Sequence, residues 1–368
     1  MASSINASTS GGGGVIVTSD ATGNLNLQSG GTTVVAVTST GVAVTGTLSA
    51  SNGISVANTF GFKNRIINGG MNTDQRNAAA SQTFTAAGAL AYSVDRWYGY
   101  CTGANVTGQQ VAGATTPTVT QNRYRFTGAA SVTAVGFGQR IEQKNSYDLA
   151  GSTCTLSADL GISATLTTVT WTAYYATTTA DTFGSLASPT VTSIATGTFT
   201  VGATVANFSA NISIPAAATT GIQILFTVGA LTAGLTWTVG NVQLEKGSTA
   251  TSFDVRAYST ELAMCQRYYW QCTGANGYPA LWYGTGTTVR LSVKHSVTMR
   301  SAPAIAKTGT IGIYSATIAD ATNITYSSVS NDVDGSSIAF TTTGAGASAN
   351  GLIGYSYGTG TLQFSSEL

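Results

Sequence analysis

The sequence predicts an all-β protein. Apolar residues make up 43% of 368, yet the aliphatic and aromatic ones come singly between Thr, Ser, Gly and Ala. That alternation suits strands with one buried face. Turn-forming Gly, Asn, Asp and Pro separate the runs at short intervals, as in sandwiches and barrels. Long 3.6-residue stripes rich in Leu, Glu and Lys are nearly absent, so helices contribute little.

Three segments follow in order. Residues 1–61 alternate small polar and small apolar side chains around Val34, Val35, Val37, Val42, Val44 and Leu48, with Phe60 the only aromatic. Such a strip cannot build a core by itself, and short hairpins are marginal alone in water. Burial against copies of itself resolves this, so the segment is expected to form an intertwined β stalk. Residues 1–14 read as a Gly/Ser/Thr linker. Residues 62–256 carry strand-like runs such as "RYRFTG", "STCTLSADLGI", "TVTWTAYYA", "GIQILFTVG" and "LTWTVGNVQLE". Many short strands without a helix-length insert predict a jelly-roll β-sandwich. Residues 257–368 open with "STELAMCQRYYW", the best helical candidate, where Ser259 or Thr260 is placed to cap and Glu261 falls in the first turn. "TTVRLSVKHSVTM", "NITYSSVS", "SIAFTTT" and "GLIGYSYGTGTLQF" then predict a smaller terminal β domain.

Charge narrows the functions. A net charge of +1 supplies no basic stripe to neutralise phosphates, so no nucleic-acid partner is expected. No apolar run is long enough to cross a membrane, and "MASSINASTSGGGG" has neither the basic nor the apolar region of a secretory signal. Work outside a cell would then follow a route such as lysis. Cys101, Cys154, Cys265 and Cys272 are spaced too irregularly for a zinc site or a disulfide scaffold and read as buried thiols.

One stretch departs from the rest. "KNRIINGGMNTDQRN" (63–77) holds two arginines, a lysine and an aspartate, whereas Asp20 is the only charge before it. Arg65, Asp74, Arg76, Asp95 and Arg96 stand near the start of the middle segment, and Glu245, Asp254 and Arg256 near its end. The first and last strands of a jelly roll commonly lie together, so these residues are expected to form ion pairs that tie the domain's ends. Arg–carboxylate forks are geometrically specific and suit that task.

The motifs "KNRIINGGMNTDQRN", "DRW" (95–97), "GFGQRIE" (136–142), "VQLEKGSTATSFDVR" (242–256), "ELAMCQRYY" (261–269) and "VTMRSAP" (297–303) occur in that order. In this the chain resembles a family of bacteriophage tail-fibre and appendage proteins whose middle domain is similar to a carbohydrate-binding jelly roll. The resemblance covers about residues 62–303. It implies a virion fibre, assembled in the host cytoplasm as a homotrimer. Such a fibre is held at its N-terminus by another virion protein and presents its C-terminal part to a host-surface glycan.

Catalytic chemistry finds few candidates. His295 is the one histidine, placed on a strand, and no G-x-S-x-G elbow accompanies it. Most of the fourteen acidic residues sit beside Arg or Lys rather than in free pairs. "SNDVDGSS" (330–337) offers Asp332 and Asp334, too few oxygens for calcium, and reads as a turn. No catalytic residue, metal or cofactor is therefore assigned. Glycan binding has more support, because sugar rings stack their C–H faces on aromatic planes. Tyr278, Trp282 and Tyr283, set among Gly and Pro, and Tyr355 and Tyr357 in "GYSYG" are the candidates. Tyr268, Tyr269 and Trp270 suit a core or a trimer interface better. The reading is a non-enzymatic phage fibre with a receptor-facing tip. The alternatives are a tailspike-like depolymerase of host polysaccharide and a capsid-attached decoration fibre.

Overall fold

The structure, a computed structural model, describes residues 25–29, 31–38, 41–44, 62–86, 90–113, 122–163, 166–273, 279–283, 288–315, 318–321, 323–343 and 353–368. The chain is almost entirely β, with a single α-helix among the described residues. Its contacts group it into two compact units, residues 1–57 and 58–368.

In the first unit, Leu25–Ser29, Thr32–Thr38 and Gly41–Val44 form an antiparallel meander. Register pairs Leu25 with Val37, Leu27 with Val35, Val35 with Val44 and Val37 with Val42. All six large aliphatics therefore share one face. A single copy leaves that face open: Leu27 is 49% exposed and Val42 64%. The rest of the expected stalk, including Leu48 and Phe60, lies outside the described residues.

The second unit contains the sandwich. One six-stranded sheet runs in the order Ala206–Ser213, Thr153–Ile162, Thr236–Lys246, Asn122–Thr127, Val106–Ala112 and Gln82–Phe84. The other runs Val191–Thr200, Thr168–Ala176, Ile222–Val228, Ala134–Ile141, Tyr98–Thr102 and Ala91–Tyr92. From Asn122 onward the chain passes repeatedly between the sheets, as in a jelly roll. Both inner faces supply one core. Phe137 lies between Trp97 and Tyr124, stacked at 4.8 and 5.0 Å, and Phe126 stacks on Trp237 at 5.4 Å. Each such aromatic pair adds about 0.5–1.5 kcal/mol beyond its burial.

The helix spans Tyr258–Gln266. Its N-cap is Ala257, without a side-chain cap bond, rather than Ser259 or Thr260. Glu261 does fall in the first turn but serves Arg256 and the Asn68 amide instead of the helix's own start. Beyond it, Tyr269–Thr273, Thr361–Ser365 and Ala304–Thr308 form a three-stranded sheet. A seven-stranded sheet orders Ile318–Ala321, Gly312–Ser315, Ile353–Tyr357, Pro279–Tyr283, Thr288–Lys294, Gly335–Thr343 and Asn323–Asn331. Trp270 stacks on Phe364 at 4.7 Å beside buried His295. All four cysteines are free and buried.

Candidate functional site

Two places bring chemically distinctive side chains together: the joint around the charged stretch and the outer face of one sandwich sheet. At the joint, residues 63–77 do run beside residues 241–256. Arg65 N donates to Leu244 O at 2.9 Å, Val242 N to Gly69 O at 3.0 Å, and Asn64 Nδ2 to Val242 O at 3.0 Å. The carboxylates of the two stretches, however, do not take arginine partners. Asp254 accepts from Asn64 N at 3.3 Å, Asp74 from Asn77 N and Ala79 N, Asp95 from Gln75, and Glu245 from Gln243 and Thr251. Among the described residues none of these four joins an ion pair. Nearby turn amides occupy them, because unpaired backbone N–H groups in irregular loops need acceptors.

The arginines pair elsewhere. Arg65 meets Asp148 at 2.7 Å, and Arg256 meets Glu261 at 3.2 Å while capping Ile66 O. Arg76 reaches Glu367 at 3.0 Å, and Arg96 pairs with the same carboxylate. Arg96 has φ +73° and lies 3.5 Å over the Tyr268 ring. Its Nη2 donates to Arg140 O at 2.6 Å. Arg76 lies 3.5 Å over Tyr269. Arg267 binds Glu142 with contacts of 2.9 and 3.1 Å, and Glu142 also accepts from Tyr268 Oη at 2.9 Å. The motifs "DQRN", "DRW", "GQRIE" and "QRYY" thus interlock as guanidinium planes on tyrosine rings, joining the sandwich to the strand after the helix. Burial pushes the Asp95 carboxyl up to about 7, with the hydrogen bonds from Gln75 pulling the other way. Burial likewise raises the Cys265 thiol.

The second place is the outer face of the sheet containing Tyr98–Thr102. Register sets Tyr98 opposite Gly138 and Tyr100 opposite Gly136. The next strands continue the face: Gly138 pairs with Leu225 and Gly136 with Thr227, then Thr227 with Thr170, and Gln223 with Tyr174. A Cβ on Gly136 would run into the Tyr100 ring, and one on Gly138 would lie 2.6 Å from Tyr98 Oη. The two glycines therefore let the tyrosine rings lie down on the sheet. Tyr98 is buried, with its hydroxyl unpartnered among the described residues, while Tyr100 and Tyr174 are half-buried. Burial raises the Tyr100 hydroxyl pKa, and neighbouring Tyr174 raises it further, so both stay neutral donors. Beside them runs a trough of about 530 Å³ lined by Ala134, Thr168, Thr170 and Thr227. Thr172 and Thr196 continue the polar strip, their hydroxyls 3.1 Å apart. At the far end Arg140 lies over the Tyr98 and Phe183 rings and donates to Gln223 at 3.0 Å. Flat aromatic rings flanked by hydroxyls and amides can stack on and hydrogen-bond a polyhydroxyl ligand.

The sequence candidates for glycan contact lie elsewhere. Tyr278 lies outside the described residues. Register puts Tyr283, Tyr355 and Tyr357 on one face of the seven-stranded sheet, together with Tyr314. Trp282 falls on the opposite face, which carries buried Leu291 and Ile338. Tyr268, Tyr269 and Trp270 are all buried. His295 is buried with both ring nitrogens engaged: Nδ1 donates to Val333 O, and Nε2 accepts from Ser336 Oγ, each at 2.9 Å. Asp332 and Asp334 accept from Val333 N and Thr298 Oγ1 in their turn. Sequence reasoning missed Tyr98, Tyr100 and Tyr174. The available signal was the complement of "YGY" (98–100) and "GFG" (136–138), in which each tyrosine of one strand faces a glycine of the other.

No family model matches the chain, and no curated protein matches it. Among solved structures it is similar to the enzymatically active domain of tailspike protein 4 of bacteriophage CBA120, at 15% identity and a TM-score of 0.32. That match covers 50% of this chain and 22% of the tailspike chain, so the chain spans about a fifth of that relative's length. It is also similar to CBM4, at 15% identity and a TM-score of 0.30, over 49% of this chain and 98% of the other. A third similar structure is TmCBM61 in complex with β-1,4-galactotriose, at 12% identity and a TM-score of 0.30, over 50% and 99% of the two chains.

Proposed function

We propose that the chain is an adhesive appendage of a bacteriophage virion that contacts host-surface glycan through the outer tyrosine face of its sandwich. The observation that carries the glycan reading is the pair of rings at Tyr100 and Tyr174 beside the threonine-lined trough. A sugar ring laid on Tyr100 would find Thr170 and Thr227 hydroxyls along its edge. Tyr283, Tyr355 and Tyr357 supply a second aromatic strip on the seven-stranded sheet, with Tyr278 and Trp282 as neighbours in sequence. The appendage reading is supported by the ordered motifs and by the open apolar face of the meander. Copies of the chain, three in a fibre, would cover that face, and another virion protein would hold the N-terminal end. Weak single contacts repeated across identical chains become useful through avidity.

A glycan array probed with the full chain tests this reading. Tyr100→Ala and Tyr174→Ala are each expected to weaken binding by about tenfold, the loss of one stacked ring, or ~1.4 kcal/mol. Their melting profiles should stay close to the parent's. Binding unchanged in both variants, or none to any host polysaccharide, sinks the glycan reading.

A further inference from the structure

The charged stretch also encloses a cavity that the joint itself does not use. It measures about 280 Å³ and lies beside the start of the helix, away from the tyrosine face. Gly70, Asn72, Asn122, Phe253, Asp254 and Tyr258 line it.

Three features make it a built pocket. First, a Cβ at Gly70 would come within 3.0 Å of Asn72 Nδ2 and 3.5 Å of the Phe253 ring, so the glycine keeps the space open. Its neighbour Gly69 has a different task, because a Cβ there would collide with Val242 O and break the strand contact. Second, hydrogen-bond capacity is left over. Asn122 Nδ2 donates to Asn72 Oδ1 at 3.0 Å, which spends one group of each amide. The Asn72 amide N–H pair and the Asn122 carbonyl oxygen then have no protein partner among the described residues. Asp254 uses Oδ2 for Asn64 N at 3.3 Å and keeps Oδ1. Third, the rim is aromatic: Phe253 is half-buried, and Tyr258 is 60% exposed on the first turn of the helix.

We infer that this pocket is a second saccharide subsite, which takes one pyranose unit of a neutral glycan. Adjacent sugar hydroxyls each need a donor and an acceptor, and planar amides beside a carboxylate supply both at fixed spacing. The Phe253 and Tyr258 rings offer apolar surface to the C–H face. Glu261 is neutralised by Arg256, so Asp254 is the pocket's remaining charge, which suits a hydroxyl-rich ligand rather than an anion. The cavity sits at the small end of ligand pockets and has room for a single ring. The inference rests on the glycan-binding reading but on different residues, so the two fail separately.

Saturation-transfer NMR of the full chain with the methyl pyranosides of glucose, galactose, mannose and N-acetylglucosamine tests it. With Tyr100→Ala in place, at least one pyranoside should keep its transfer signal. Adding Asn122→Ala should then abolish that signal. Tyr258→Ala, at an exposed side chain that leaves folding intact, should weaken it at least threefold. If Tyr100→Ala alone removes every signal, the tyrosine face stands and the pocket is discarded. If Asn122→Ala alone removes every signal, the pocket stands and the tyrosine face is discarded. A signal untouched by both Asn122→Ala and Tyr258→Ala overturns the inference.

Discussion

Arg96 is 1% exposed and holds a left-handed backbone, so its charge depends on Glu367 for neutralisation. A buried guanidinium stripped of its counter-ion is costly, typically ~3–5 kcal/mol. Glu367→Gln should therefore lower stability by several kcal/mol in urea melts. Arg65→Ala makes the contrast. Its partner Asp148 is well exposed and lies within the same sandwich, so the loss should stay below about 1 kcal/mol. Equal losses in the two variants would remove the distinction. Asp95 adds a pH dependence. Its folded carboxyl is pushed up to about 7 by burial, above the ordinary value of 3.8. The folded state then binds the proton more tightly than the unfolded one, so stability should fall as pH rises from about 4 to about 7. Asp95→Asn should flatten melting temperature across that window, and a parent profile that rises there would contradict the assignment.

The strands Tyr98–Thr102 and Ala134–Ile141 show how two short runs build both sides of a sheet at once. "YGY" meets "GFG" in antiparallel register, so Phe137 fills the space over Gly99 on the inner face, and Tyr98 and Tyr100 cover Gly138 and Gly136 outside. Gly136→Ala should lift the Tyr100 ring, at a cost of about 1–3 kcal/mol for overpacking. It should also remove glycan binding while leaving Tyr100 in the sequence. Calorimetry and the glycan array together check this, and retained binding with an undisturbed melt would refute the ring placement. The strand runs of the sandwich were legible beforehand because alternation and turn residues are local. The short strands Gln82–Phe84 and Ala91–Tyr92 were not, since two or three residues hold too little periodicity to read. The helix start was misplaced for a related reason. Ser259 and Thr260 have capping chemistry, but the chain geometry at Ala257 set the first turn.

Assembly follows from the meander's open face. Six aliphatics share that face, and a strip of sixteen strand residues has no second layer of its own. The full chain should be trimeric by light scattering, and a chain beginning at Phe62 should weaken or dissociate. A trimer unaffected by that truncation would move assembly into the second unit, and a monomer in both cases would remove the fibre.

The sequence by itself determined the all-β class, the recurrence of half-buried strands, and the unusual weight of the stretch at 63–77, because alternation and charge density are readable along one chain. It also brought residues 63–77 and 241–256 together by topological reasoning. Only the tertiary structure decided that Arg76 and Arg96 seek Glu367, more than 250 residues away, and that Asp74, Asp95, Glu245 and Asp254 serve turn amides instead. It alone assembled the tyrosine face, since Tyr100 and Tyr174 become neighbours through intervening strands. Partner choice among charges depends on burial and distance in space, and side-chain stacking depends on register between strands. Neither is encoded in local pattern.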